Sequence, residues 1–305
     1  MLDHTRINLP HSSISVWLDR SQNTAGGTMG LTKERKAVLE GLCKQFRRTL
    51  LDTLYSVQTG HPGGSLSATE IITTLYFEVM KVDPKNPSWE DRDRFVLAKG
   101  HAAPMLYIAL AEKGFFPKEE LKTLRQLNSR LQGHPCALKT PGVELSTGPL
   151  GLGLSAALGM GLGARIQGKQ FHTYVLLGDG EIQEGIVWEA AMAGAKYGID
   201  NVVAILDKNG VQLDGPVDQI MPLGDVRAKW NSFGWNTLEV NGHKVEEIYD
   251  AIQEAHRVKG KPTIIIAHTV KGKGVSFMEG KHAWHGKPIS KAEYEAAIKE
   301  LEGGR

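Results

Sequence analysis

Apolar residues recur at helical spacing from Thr32 to about Val57, at Val38, Leu39, Leu42, Phe46, Leu50 and Leu54, which predicts one long amphipathic helix. A second helix is expected to open at Ser67, where Ser67 and Glu70 have the spacing of a capping box. The glycine-rich stretch TGHPGGS (59–65) lies between them. After that the pattern alternates. The short apolar runs RFVLAKG (94–100), TYVLLGDG (173–180), NVVAILDKN (201–209) and PTIIIAHTV (262–270) are separated by amphipathic or small-residue-rich helical segments. That rhythm predicts an α/β fold, a mostly parallel sheet with helices on both faces. A last helix is expected from Ser290 to about Leu301, opened by the capping pair Ser290 and Glu293. Residues 1–30 lack periodicity and are expected to form a loose arm, leaving 31–305 as the folded domain.

Composition narrows the function classes. The 36 Lys and Arg nearly balance the 34 Asp and Glu, for a net charge of +2, and basic residues do not cluster. Neither a nucleic-acid nor a membrane surface is indicated, and small polar substrates remain open. The 35 glycines exceed the usual share of about 7% and point to tight turns and close backbone approach to something bound. The two cysteines, Cys43 and Cys136, have no metal-like spacing. With neither an export signal nor an apolar run near the roughly 18 residues that span a bilayer, a cytoplasmic protein is expected.

The most informative chemistry sits in GDGEIQEGIVWEAAMAGAKYGIDNVVAILDKN (178–209). Asp179 ends one apolar run and Asn209 ends the next, so in a parallel sheet both belong at carboxyl ends, where open α/β sheets bind ligands. Gly178 and Gly180 let the backbone turn sharply beside a bulky anion. One carboxylate, one amide oxygen and the carbonyl of Val211 make half an octahedron of hard oxygen donors, suited to Mg²⁺ completed by phosphate oxygens and water. Ca²⁺ or Mn²⁺ are possible substitutes. The chain has no GxxxxGK[ST] loop, so a divalent cation would take the place of a phosphate-binding lysine, assisted by the helix expected after Gly180. A plainer reading makes Asp179 a turn and cap residue and Asn209 a left-handed turn residue before Gly210. An Asn thirty residues after a GDG, beyond a second strand, favours the metal.

GDG followed by a helix, a strand and a terminal Asn resembles the thiamin diphosphate signature. GHPGGSLSATEI (60–71), AKGHAAPMLY (98–107), GHP (133–135), STGPLGLGLSAALGMGLG (146–163), GDGEIQEG (178–185) and AWHG (283–286) resemble, in order, the motifs of the transketolase family. The resemblance runs from about residue 31 to the end. It implies a thiamin diphosphate-binding fold with Asp179, Asn209 and the Val211 carbonyl on Mg²⁺. It also implies that Gly148 and Leu150 approach the cofactor, and that Glu184 and Glu189 sit near a contact between paired subunits. For the two glutamates, a pair of solvated helix carboxylates is the alternative. The segment GLGLSA (151–156) mimics a dinucleotide fingerprint, but no good strand leads into it and no acidic residue follows at the right distance.

His61, His101, His134 and His285 fall in four separate glycine-containing loops. Imidazole donates or accepts protons near neutral pH, as sugar carbon–carbon cleavage requires. By the resemblance these four line a substrate channel, with His61 and His285 near the reacting hydroxyl and carbonyl. His101 and His134 lie near the two-carbon unit, and His101 is also close to the diphosphate. His172 and His256 match no motif and are expected to be structural.

The resemblance stops where the first of three transketolase domains ends. The glutamate that protonates the aminopyrimidine, the aromatic pocket for that ring and most sugar-phosphate ligands have no counterpart here. This implies the N-terminal subunit of a split transketolase, joined in an α₂β₂ assembly to a separate C-terminal subunit, with sugars or sugar phosphates as substrates. The competing classes are a subunit of a 1-deoxyxylulose-5-phosphate synthase-like or 2-oxo acid dehydrogenase-like enzyme, and a non-catalytic cofactor-binding regulatory subunit. GHPGGS, STGPLG and WHG favour transketolase over the first two.

Overall fold

A computed structural model describes residues 30–303. The arm expected over residues 1–30 lies, but for Gly30, outside the described residues. The chain from Leu31 on forms one compact unit. Its first helix, α1 (Lys33–Val57), is capped by the Thr32 side chain, which accepts from Arg35 N, and it buries Leu39, Phe46, Leu50 and Leu54, as the periodicity predicts.

The next helix corrects the expectation at Ser67. Helix α2 (Pro62–Ser67) begins five residues earlier, with Pro62 at its first position. There the missing N–H is no loss and the fixed φ suits the helix. Ala68 separates it from α3 (Thr69–Thr74), which runs into a π-helical turn over Leu75–Val79. Ser67 and Glu70 do not cap because both are buried and have distant partners. The Ser67 hydroxyl donates to Asp207 Oδ2 at 2.6 Å. Glu70 accepts from Arg47 at 2.6 and 2.8 Å and meets His243 Nδ1 at 3.0 Å.

The sheet then assembles. Strand β1 (Arg94–Leu97) is followed by α4 (Ala103–Lys113) and a long irregular segment, then α5 (Leu152–Ile166) and β2 (Thr173–Gly178). Helix α6 (Gly185–Lys196) leads to β3 (Val202–Lys208), then short helices α7 (Val217–Ile220) and α8 (Val226–Ser232). The order closes with β4 (Asn236–Asn241), α9 (Val245–Arg257), β5 (Thr263–His268) and α10 (Lys291–Leu301). All four apolar runs are strands, every pairing is parallel, and the order is β1-β2-β3-β5-β4. The fifth strand, β4, was not legible: NTLEVN is an edge strand whose half-exposed pattern is no longer an apolar run. At the end of the chain the capping box of Ser290 and Glu293 is present.

Side chains alternate across each strand, and both faces are buried. Phe95, Leu97, Leu176, Val203, Ile205 and Ile265 pack with α1, α3, α4 and α9 in one core. Val96, Val175, Leu177, Ala204, Leu206 and Ile266 pack with α5, α6 and α8 in the other. These cores fix the sheet, and with it the positions of the loops at the carboxyl ends of the strands.

His172 and His256 are structural in geometry. Their rings stack at 4.1 Å, and His256 Nε2 lies 2.9 Å from the Tyr174 hydroxyl. Burial, then the neighbouring His172, pushes His256 down to about 3. An imidazole held below its unfolded value near 6.5 stabilises the fold above that pH, and the contribution is lost as pH falls toward 3. His256→Phe is therefore expected to flatten the acid side of the stability profile, removing a slope of up to about 1.4 kcal/mol per pH unit between pH 6 and 4. Urea denaturation at a series of pH values checks this, and parallel wild-type and variant profiles would contradict it.

Candidate active site

Strands β2 and β3 are neighbours, with Gly178 in register with Asp207, so Asp179 and Asn209 emerge side by side. Their turns are joined: Asp179 Oδ1 accepts from Gly180 N at 2.9 Å, and Oδ2 accepts from Gly210 N. Asn209 Oδ1 accepts from Val211 N at 3.1 Å. The turn-residue reading is thus satisfied here, and it leaves the metal reading intact, since carboxylate and amide oxygens each keep a free lone pair. Asp179 is 2% exposed, and burial, then the charge of Asp207, raises its carboxyl above the ordinary range. It is a carboxylate in need of a cation.

The residues fit a hard divalent ion. Among the described residues no three His, Cys, Asp or Glu side chains gather as a metal cluster, so the candidate donors are one carboxylate, one amide and one carbonyl. The Val211 carbonyl accepts from the ammonium of Lys271 at 3.0 Å, which shows that this oxygen is turned toward positive charge.

The helix expected directly after Gly180 starts later. Glu181–Gln183 form a 3₁₀ turn, Glu184 occupies the N-cap position and α6 begins at Gly185. Glu184 and Glu189 are exposed and do not join the buried carboxylates. Glu181, which the motif reading passed over, is 3% exposed and accepts from Gly151 N at 2.9 Å and Gly178 N at 3.0 Å. It ties the STGPLG loop to the GDG turn. Gly151 has φ of 85° as the N-cap of α5, and a Cβ there would fall 2.8 Å from Ile186 Cγ2, so no other residue fits. A Cβ added at Gly148 would lie 3.6 Å from the His134 ring, and Leu150 is 39% exposed. Since α5 follows a loop rather than a strand, GLGLSA is not a dinucleotide fingerprint.

The four loop histidines converge. His101 and His285 ring centroids are 4.7 Å apart, and His61 lies 5.4 Å from His285, 5.6 Å from His101 and 6.1 Å from His134. All four are shifted toward neutrality. Burial, then Arg125, brings His61 to about 4. Burial, then Lys271, brings His285 to about 3. Burial, then Lys99, holds His101 well below its usual range, and His134 is lowered by burial and Arg125. Lys271 Nζ also stands 3.0 Å from His285 Nδ1, and burial, then Lys99, lowers it to about 8. One lysine therefore links the candidate metal site to the histidine cluster.

Beneath these groups lies a buried ion pair between Lys99 and Asp207, 1% and 0% exposed. Lys99 also donates to Gly64 O at 3.1 Å, and Asp207 accepts from Ser67 and Thr269. Lys99 holds the Asp207 carboxyl below the ordinary range despite its burial. The sequence signal was a charged residue inside each of two apolar runs, but only the fold shows that they are partners.

A parallel sheet buried on both faces, with the GDG turn and the Asn209 turn at its carboxyl ends, defines an open α/β domain of the kind that binds ligands at that edge. The family model "Transketolase, thiamine diphosphate binding domain" matches residues 40–303, and the chain belongs to the transketolase family. It is 43% identical to an apulose-4-phosphate transketolase subunit of Phocaeicola vulgatus, over 86% of this chain and 93% of that protein. It is 42% identical to a 6-deoxy-6-sulfo-D-fructose transketolase subunit of a Clostridium species, over 88% and 98%. Mouse transketolase is 40% identical over 88% of this chain, which spans 43% of that protein. Among solved structures, Campylobacter jejuni transketolase superposes with a TM-score of 0.82 at 35% identity, over 88% of this chain and 43% of that one.

Lys99→Met is expected to destabilise the chain by about 3–5 kcal/mol, because it leaves the Asp207 carboxylate buried without its counter-charge. Lys99→Met combined with Asp207→Asn is expected to recover most of the loss. Urea unfolding of the single and double variants measures both, and a single variant as stable as wild type would contradict the account.

Proposed function

We propose that this chain is the N-terminal, diphosphate-binding subunit of a two-subunit transketolase. It would transfer a two-carbon ketol unit from a ketose, or ketose phosphate, to an aldose or its phosphate. What supports this reading is that the Asp179 and Asn209 turns stand side by side at the strand ends, and that Lys271 reaches both the Val211 carbonyl and His285 of the four-histidine cluster. Two relatives covered over nearly their whole length have transketolase-subunit names, which supports a separate C-terminal partner. The α₂β₂ assembly and a cytoplasmic location belong to the same proposal.

In this reading Asp179, Asn209 and the Val211 carbonyl hold Mg²⁺, with the Gly148 backbone beside the diphosphate and Leu150 against the cofactor rings. When bound, thiamin diphosphate supplies the carbanion chemistry that cleaves and re-forms the sugar carbon–carbon bond. The chain contributes charge balance and proton handling. Lys271 donates to Val211 O and, as an ammonium, to His285 Nδ1, which leaves the His285 proton on Nε2. Neutral imidazoles at His101 and His134 can take up and return hydroxyl protons at neutral pH, while His285 offers its Nε2–H as a donor. Glu184 and Glu189, exposed at the start of α6, would meet a second subunit.

Asp179→Ala is expected to abolish metal-dependent binding of thiamin diphosphate in titration calorimetry while the circular dichroism spectrum stays unchanged. Unchanged affinity would remove the central claim. The purified chain alone is expected to show no ketol transfer, and activity should appear on mixing with a C-terminal transketolase subunit, with a mass corresponding to two copies of each in analytical ultracentrifugation. Full activity of the chain alone would refute the split assembly.

A further inference from the structure

His61 has a partner with no part in the reading above. Arg125 lies in the irregular segment that precedes the GHP loop, at φ of 61°, a left-handed conformation that arginine rarely adopts. The turn is closed by Arg125 N donating to Leu131 O at 2.9 Å. From this backbone the guanidinium donates to Thr59 Oγ1 at 3.1 Å and to Gly133 O at 3.4 Å, and stands 3.1 Å from His61 Nδ1. Gly133 makes the approach possible, since a Cβ there would fall 2.8 Å from Arg125 Nε. A turn of this shape, a glycine opposite the guanidinium and two oxygen anchors together hold one side chain against one ring nitrogen.

The chemistry of that contact has one outcome. A guanidinium has only donors and stays protonated in proteins, so His61 Nδ1 must accept. A neutral imidazole then carries its single proton on Nε2. That edge of the ring faces the AWHG loop: a methyl on Gly286 would lie 3.3 Å from His61 Nε2, and His285 is its edge-on neighbour.

We propose that Arg125 is a positioning residue that fixes His61 in its Nε2–H tautomer, so that His61 offers a hydrogen-bond donor to a carbonyl or hydroxyl oxygen of a sugar bound among the four histidines. The sugar rests on the transketolase reading, whereas the tautomer rests on geometry alone. The neutral state agrees with the low imidazole value that burial, then Arg125, imposes.

The test uses the full chain labelled with ¹⁵N-histidine, and long-range ¹H–¹⁵N correlation near pH 7.5, with His61 assigned from a His61→Gln variant. The expected spectrum shows unprotonated Nδ1 and protonated Nε2 at His61. Arg125→Met is expected to mix the tautomers and raise the pH of half-protonation above the wild-type value. Gly133→Ala, which displaces the guanidinium without removing it, should mix them too. Unchanged His172 and His256 signals would show that the fold is intact in both variants. With a ketose donor and the C-terminal partner present, Arg125→Met should lower kcat about 100-fold, the loss expected for one preorganised donor, with little change in KM. Arg125→Lys keeps the charge but not the fork and should fall between. Protonated Nδ1 in the wild type, or a His61 tautomer indifferent to both substitutions, would overturn the proposal. The expected spectra without ketol transfer in any form would instead sink the transketolase reading and leave the His61 assignment standing.

Discussion

Four buried charges at the carboxyl end of the sheet are the constraint around which the rest is arranged. Lys99 follows β1, Asp179 follows β2, Asp207 lies in β3 and Lys271 follows β5, so four adjacent strands contribute one charge each, and none is more than 2% exposed. Charges removed from water are tolerated only when paired and hydrogen-bonded. Lys99 neutralises Asp207 directly, while Asp179 has only backbone N–H groups at its oxygens and Lys271 is shared between a carbonyl and an imidazole. One pair is closed and serves the fold, and the other is open and is available to a ligand.

This division explains why so many loops end in one place. Gly64 O and Ser67 from α2 are held by the closed pair, which places His61 at the head of that helix beside His101. Lys271 brings the chain after β5 against Val211 and orients His285. Glu181 draws the STGPLG loop onto the GDG turn. The histidines are neutral because they are buried among cations, so positive charge near them comes from lysine and arginine rather than from imidazolium. Such surroundings favour an anionic ligand while the imidazoles themselves add no charge.

Much of the architecture was legible because periodicity and burial coincide. Runs such as TYVLLG and TIIIAH are apolar at almost every position since both faces of a parallel strand are covered, whereas NTLEVN escaped notice because an edge strand is half exposed. The pair Ser290 and Glu293 is a capping box, and Ser67 and Glu70, with the same spacing, are not. At the surface a serine and a glutamate have only local backbone to satisfy, but in the interior Asp207, Arg47 and His243 outcompete it.

The sequence by itself determined the parallel sheet, the long first helix and the family, since each depends on local pattern or on ordered motifs. Spacing also placed Asp179 and Asn209 on neighbouring turns, because a crossover helix between two parallel strands leaves little choice. Only the tertiary structure decided which lysine meets which carboxylate, that Glu181 rather than Glu184 is buried, and that Arg125 stands behind His61. Those pairings join residues up to 108 positions apart, as Lys99 and Asp207 are. Their physical reason is the expense of an uncompensated charge in a dry interior, which appears only once the chain has folded around it.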